Sequence, residues 1–282
     1  MSLYPYELLN GDYITGESLA FSSSNRAFRY GDGVFETICL RNKKPLFIDD
    51  HWNRLVIGLN VLSIPIPSGL SRLTFEKFII KLADKNNIDF GRMRFTVYRE
   101  ASGFFKPADI RSAWHCCITG SINAEYNQNP TGLTASLFER DYKTRGVLSN
   151  IKTTNCLLYV IAGMSAAEKA DHEVFICNDA GSVIETSDSN IFLRKENTFT
   201  TPPLSEGCLD GIMRRQVIKF LHKNNLKLHE NPVSKKDIES ADEILITNVI
   251  RGAGWISEFN GKEYENRYPE LINLWLNSQH KR

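Results

Sequence analysis

The chain has 282 residues, with 34 Lys and Arg against 33 Asp and Glu, a formal net charge of +1, and 42% apolar residues. This balance excludes a disordered chain, which pairs low hydrophobicity with high net charge, and argues against a nucleic-acid binder, which carries a basic excess. The length suggests about two domains, and either could bury a core without disulfide or metal staples. The six cysteines form no C-x-x-C pair and no zinc-type Cys/His spacing, so free thiols in a reducing cytoplasm are expected. Residues 1–11 lack the basic segment and apolar run of a signal peptide. The longest apolar run, 156–164, is far shorter than the about 20 residues of a membrane span. A soluble, intracellular protein is the expectation.

Residues 8–14 read as a β-hairpin turning at Asn10-Gly11. A strand is predicted over 34–40, a turn at Lys43-Lys44-Pro45, and a helix capped by Asp49 or Asp50. Trp52, Leu55, Leu59 and Leu62 give that helix one apolar face, and Pro65 and Pro67 end it. A second helix over 73–82 and strands over 92–98 and 114–119 complete an α+β unit. The polar stretch 121–132 is the candidate linker between a small N-terminal domain, 1–120, and a larger C-terminal domain, 133–282. Beyond it, strands are predicted over 133–138, 174–177, 183–186, 190–193 and 243–247. Helices are predicted over about 155–169, from Gly211, and around Tyr268 to Trp275.

The chain has no P-loop, no H-E-x-x-H and no G-x-S-x-G, and its histidines lack ligand spacing. Gly31-Asp32-Gly33 reads as a tight turn, without the third glycine of a dinucleotide fingerprint. Four segments carry a more specific signal. They are Tyr30-Gly31-Asp32-Gly33-Val34-Phe35-Glu36-Thr37 with His51-x-x-Arg54-Leu55, Asn150-Ile151-Lys152-Thr153-Thr154-Asn155, residues 183–192 around Glu185, and Leu209-Asp210-Gly211-Ile212-Met213-Arg214 with Ala241-Asp242-Glu243 and Thr247-Asn248.

In this order the set resembles the class-IV aminotransferases. These are pyridoxal-phosphate enzymes of fold type IV that include branched-chain and D-amino-acid aminotransferases and 4-amino-4-deoxychorismate lyase. The resemblance runs from about residue 8 to 260. It implies a two-domain α+β and α/β fold, pyridoxal 5'-phosphate as cofactor, and a homodimer with sites near the subunit interface. Lys152 matches the lysine that holds the cofactor aldehyde, and desolvation there favours the neutral amine as nucleophile and base. Glu185 matches the carboxylate that faces the pyridine nitrogen and keeps the ring protonated. Arg54 matches the phosphate-gripping arginine. Ile212 and Met213 match the phosphate-binding helix start, Thr247 and Asn248 further phosphate donors, and Leu209 the leucine on the ring face.

The substrate side is less determined. The Arg-x-His carboxylate trap of D-amino-acid aminotransferases is replaced by Phe104 and Lys106, and the tyrosine five residues after the lysine in many branched-chain enzymes is Leu157. The segments at 209–215 and 241–248 look most like the lyases, which release pyruvate and 4-aminobenzoate. Arg99, Lys106 and Arg251 are candidate substrate cations, and Tyr30, Phe35 and Thr37 candidate pocket residues. Phe35 and Thr37 share a strand face by alternation, although Phe35 equally suits a core. The reading favours a lyase over an aminotransferase acting with 2-oxoglutarate. A catalytically silent cofactor-binding paralogue is disfavoured by Lys152 and Glu185. No nucleic-acid or membrane partner is expected.

Overall fold

The computed structural model describes residues 4–18, 21–127 and 129–279. It contains two compact units, Met1–Ala124 with Ile151–Cys156, and Glu125–Asn150 with Leu157–Arg282. The division after Ala124 falls within the stretch expected to be a linker, whereas Ile151–Cys156, expected in the second domain, belongs to the first unit. The cause is backbone pairing with the first unit. The N–H of Phe35 donates to the Lys152 carbonyl (2.9 Å), the N–H of Thr154 donates to Gly33 (2.9 Å), and Val34 bridges Thr153.

In chain order the first unit comprises β1 (Tyr6–Leu9), β2 (Asp12–Thr15), α1 (Arg26–Tyr30), β3 (Gly33–Arg41), β4 (Lys44–Pro45), α2 (Ile48–Val61), α3 (Arg72–Lys85), β5 (Gly91–Arg99) and β6 (Ser112–Ser121). Its antiparallel sheet runs β2-β1-β6-β5-β3-β4. Alternation sends Val34, Ile38, Met93, Phe95, Val97, Trp114 and Cys116 into a core with Leu55 and Leu59 of α2 and Phe75, Ile79 and Leu82 of α3. Phe95 stacks on Trp114 with centroids 4.8 Å apart. The hairpin turn uses Asn10 and Gly11, both at positive φ. α3 starts at a Ser71–Thr74 capping box. α2 differs from expectation, because Phe47 in the left-handed region occupies its N-cap and Asp49 and Asp50 sit in the first turn. There they complement the helix dipole instead of capping the first amides.

The second unit comprises β7 (Leu133–Leu137), α4 (Leu157–Glu168), β8 (Glu173–Cys177), β9 (Val183–Thr186), β10 (Asn190–Lys195), β11 (Thr198–Thr201), α5 (Ile212–Lys223), β12 (Lys227–Glu230), α6 (Lys235–Ser240), β13 (Glu243–Asn248), β14 (Gly252–Phe259), β15 (Lys262–Glu263) and α7 (Arg267–Gln279). Its sheet runs β12-β11-β10-β13-β14-β7-β8-β9, and β9 pairs back to β10 through Glu185 and Asn190, closing six strands into a ring. Phe175, Ile191, Ile244, Ile246, Ile256 and Phe259 fill one core, and α4 packs Ala162 and Ala166 on Val174 and Ile176. Sequence reading missed β11, β12, β14, β15 and α6 here, and α1 and β4 in the first unit. β14 contains Gly252 and Gly254, which weaken a strand pattern, and α6 is a short helix started by its Ser234–Asp237 capping box. All six cysteines are free. Among the described residues no helix is long and apolar enough to cross a membrane.

Candidate active site

In the first unit, the segment clamped to β3 sets Lys152 beside Phe35, with Nζ 4.6 Å from the ring centroid. Its close approach requires Gly31, at φ +65°, because a Cβ there would meet Asn155 at 2.9 Å. Phe35 is buried but points away from the helix-covered core, on the face it shares with Thr37. The register pairs Thr37 with Arg94 and Phe35 with Thr96. Arg94 lies over the Phe35 ring, its guanidinium carbon 3.6 Å from the centroid. Burial pushes the Arg94 pKa down, and among the described residues no carboxylate pairs with it. Sequence reasoning missed Arg94, since only strand pairing reveals its position by Phe35. Its alternation with Met93 and Phe95 was the available signal.

Arg54, which sequence alone left open to a surface role, is buried. Its Nε and Nη2 donate to Oε1 (2.8 Å) and Oε2 (2.6 Å) of Glu36. His51 Nδ1 stands 2.6 Å from the same Oε2. Because a carboxylate only accepts, that nitrogen carries the hydrogen. Burial raises the Glu36 pKa, but the Arg54 charge and the hydrogen bonds from Arg54 and His51 outweigh it and hold the carboxyl at about 2. Burial pushes the His51 imidazole pKa down, against the pull of Glu36.

In the second unit, Glu185 lies within β9 and is buried. Its Oε1 accepts from Lys143 Nζ (2.6 Å) and Tyr159 Oη (2.8 Å), and its Oε2 accepts from the backbone N–H of Leu209 (2.8 Å). Lys143 and Tyr159 were missed by sequence reasoning. Leu209 is further fixed by Asn190, whose Nδ2 donates to its carbonyl at 2.8 Å.

The start of α5 has the features of an anion cradle. Gly211 at its N-cap offers no side-chain acceptor, which leaves the first-turn amides without a cap. A Cβ at Gly211 would stand 1.9 Å from Asn190 Oδ1, so only glycine fits. Ile212 and Met213 are buried. Thr247, on β13, is 2% exposed, and its hydroxyl is buried with no hydrogen-bond partner. These features suit a phosphate, which takes backbone amides and hydroxyl donors.

The other residues singled out from the sequence are placed as follows. Arg99 is buried, and its guanidinium donates to Asp32 (3.0 Å) and to the carbonyls of Ser63 (3.0 Å) and Leu62 (2.5 Å). It braces the chain and does not stand open to a substrate anion. Arg251 pairs with Glu173 (2.9 Å) and Asp188, so its charge is already neutralised. The Asn248 side chain builds a turn, with Oδ1 accepting from the amides of Ile250 (3.1 Å) and Arg251 (2.9 Å) and Nδ2 donating to Ser189 Oγ (3.2 Å). Lys106 and Phe104 are exposed on a loop whose carbonyls at Gly103, Phe104 and Phe105 accept from Arg26. Tyr30 packs against Phe105, with centroids 5.4 Å apart.

Taken separately, the first unit carries a lysine on a segment clamped to β3, and the second carries a buried carboxylate and an uncapped helix start. The family model for aminotransferase class IV matches residues 33–259. The chain belongs to this family, whose members are pyridoxal-phosphate-dependent enzymes. It is 26% identical over 275 residues to a Methanocaldococcus jannaschii protein provisionally named a branched-chain-amino-acid aminotransferase, covering 97% of this chain and 94% of that one. It is also 26% identical over 263 residues to the D-alanine aminotransferase of Bacillus licheniformis, covering 93% and 91%. Among solved structures, the branched-chain amino acid aminotransferase of Escherichia coli superposes with a TM-score of 0.88 at 19% identity, covering 98% and 94%. The 4-amino-4-deoxychorismate lyase of Pseudomonas aeruginosa superposes with a TM-score of 0.83 at 21% identity, covering 98% and 100%. The mixed α+β fold is that of this family.

Proposed function

We propose that the chain is an aminodeoxychorismate lyase, releasing pyruvate and 4-aminobenzoate. The observation that carries this reading is the pair of nitrogen groups on Phe35: Lys152 Nζ at 4.6 Å and the Arg94 guanidinium at 3.6 Å. An amine beside an arginine that no carboxylate engages among the described residues suits a substrate with an anionic group remote from its reacting amine. The substrate carries two carboxylates, and Arg94 takes over the role that Arg99 and Arg251 cannot fill. Thr37, paired with Arg94, lines the same face, with Tyr30 and the exposed Lys106 as outer contributors.

The bound cofactor supplies an electron-accepting ring. Lys152 would hold the aldehyde until the substrate amine displaces it, and the freed amine would then take the proton from the carbon bearing the substrate amine. The adjacent carbon–oxygen bond breaks, the enolpyruvyl group leaves, and it gains a proton at its methylene carbon to become pyruvate. The remaining ring becomes aromatic, with no net oxidation. Glu185, oriented by Lys143, Tyr159 and the Leu209 amide, would hold the proton on the pyridine nitrogen. The amides of Ile212 and Met213 and the Thr247 hydroxyl would bind the phosphate, with Arg54 contributing charge. Leu209 would contribute to holding the ring, and Asn248 to holding the phosphate.

The names of the curated relatives favour a second reading, an aminotransferase working with 2-oxoglutarate. In that case Arg94 would receive the distal carboxylate of the dicarboxylate partner. We further propose a homodimer, supported by the exposed apolar side chains of α4, and a reducing cytoplasm, supported by six free thiols. The deciding assay supplies aminodeoxychorismate and follows 4-aminobenzoate and pyruvate. Product formation supports the lyase. Absence of product, with turnover of leucine or another amino acid against 2-oxoglutarate, moves the assignment to the second reading. Bound cofactor with neither activity points to the silent paralogue. Lys152→Ala should abolish turnover and the visible absorbance of lysine-bound cofactor, and Glu185→Gln should slow proton removal.

A further inference from the structure

The face of the first unit's sheet that carries Phe35 and Arg94 also carries a cluster outside the machinery above. β6 sends His115 and Cys117, two residues apart, to that face, while Cys116 between them enters the core. β1 pairs with β6 through Leu8–Cys116 and Leu9–His115, which sets Glu7 opposite Cys117. A carboxylate oxygen of Glu7, a ring nitrogen of His115 and Cys117 Sγ all lie within 4.8 Å of one another. All three residues are half-buried. His115 Nε2 stands 2.6 Å from Glu7 Oε2, so two of the groups are already aimed at each other. Phe21 meets the His115 ring edge-on, with centroids 6.3 Å apart.

We infer that Glu7, His115 and Cys117 form a three-ligand site for a zinc-class divalent cation. Two donors bound at about 2.0–2.3 Å to one tetrahedral ion stand roughly 3.3–3.8 Å apart, so side-chain rotations of about an ångström close the site. A thiolate, an imidazole and a carboxylate are the donor set that zinc and cobalt(II) accept and that magnesium and calcium do not. A thiolate and a carboxylate together carry two negative charges, which neutralise a divalent ion, and this favours the site at partial burial. Binding sends the Cys117 proton to solvent and replaces the Glu7–His115 hydrogen bond, with the His115 hydrogen moving to Nδ1. Three protein ligands leave a fourth position open. The inference does not depend on which reaction the enzyme performs.

The test uses the cofactor-loaded protein, stripped of metal by a chelator and titrated with cobalt(II). One equivalent per chain should bind and give a thiolate-to-cobalt charge-transfer band that zinc abolishes. Cys117→Ser should remove the band, and Cys156→Ser should retain it. His115→Gln and Glu7→Gln should each weaken cobalt binding by at least about 10–100-fold, the cost typical of losing even an outer-shell partner. Retained cofactor absorbance and circular dichroism establish that each variant is folded. If folded Cys117→Ser binds cobalt with the same band, or if the band follows Cys156, the site is not this one. Failure of Glu7→Gln and His115→Gln to weaken binding overturns it equally. Lyase or aminotransferase assays on the metal-free protein are read separately, so failure of the functional reading leaves this result distinguishable.

Discussion

Arg94 separates two uses of positive charge within one strand. Arg99, five residues on, is locked to Asp32 and two carbonyls, while Arg94 rests on an aromatic ring with no carboxylate paired to it among the described residues. An arginine held this way keeps its fork available for a carboxylate. Arg94→Gln should therefore raise KM for the dicarboxylate substrate by about 10–100-fold, the loss of a charge-assisted hydrogen bond of roughly 1.5–3 kcal/mol. The spectrum of the bound cofactor should stay unchanged. Steady-state kinetics beside a cofactor titration checks this, and an unchanged KM would return Arg94 to a purely structural role. Lys152 and Glu185 stood out in the sequence because each sits in a run of several neighbours that match the family pattern. The residues that orient Glu185 were not. Lys143 and Tyr159 lie 42 and 26 residues away from it and meet it only through the fold.

At the level of elements, the junction of β13 with the start of α5 and the strap between β3 and α2 do different work. Thr247 keeps a buried hydroxyl without a partner, a cost of about 1–3 kcal/mol unless a ligand satisfies it. Thr247→Val should weaken pyridoxal phosphate binding by roughly tenfold while leaving the cofactor-free protein as stable or more so. Equilibrium dialysis and thermal melts of both forms measure the two effects. Equal cofactor affinity in the variant would falsify the phosphate contact.

The Glu36–Arg54–His51 strap predicts an acid response. Glu36 has a folded pKa of about 2 against an ordinary 4.5. Its contribution is therefore full above pH 4.5 and is lost as pH falls toward 2. His51, lowered from 6.5, acts in the same direction, since the unfolded chain takes up that proton first as pH drops below 6.5. The stability lead of the native protein over Glu36→Gln should shrink by about 3 kcal/mol across that acid window. Denaturant titrations at stepped pH read it, and a gap independent of pH contradicts the assignment. The sequence showed α2 and its apolar face through helical spacing. The strap was hidden, because nothing in a linear pattern says that Glu36 and Arg54 share a buried space.

At the scale of the whole molecule, α4 is apolar on much of its outer side as well as on the side it packs inward. Ala162 and Ala166 pack on β8 inside the unit, yet Leu157, Val160 and Met164 are 71%, 53% and 56% exposed. The loop before the lysine adds Val147 at 78% and Leu148 at 54%. A helix that is apolar on its outer side as well as its inner one is a buried helix in its working state, and a contiguous apolar patch of this kind marks a protein interface. The near-neutral charge of +1 removes long-range repulsion between copies. A second copy of the chain is the occupant that this surface and the dimer reading share. Val160→Glu with Met164→Glu should then convert the protein from dimer to monomer at micromolar concentration, because the introduced carboxylates would lose hydration in the interface. Sedimentation velocity measures the change. The fold of each unit should survive, since both side chains already face outward, and far-ultraviolet circular dichroism checks that. A variant that stays dimeric and fully folded would move the interface to another face and leave the exposure of α4 without a partner.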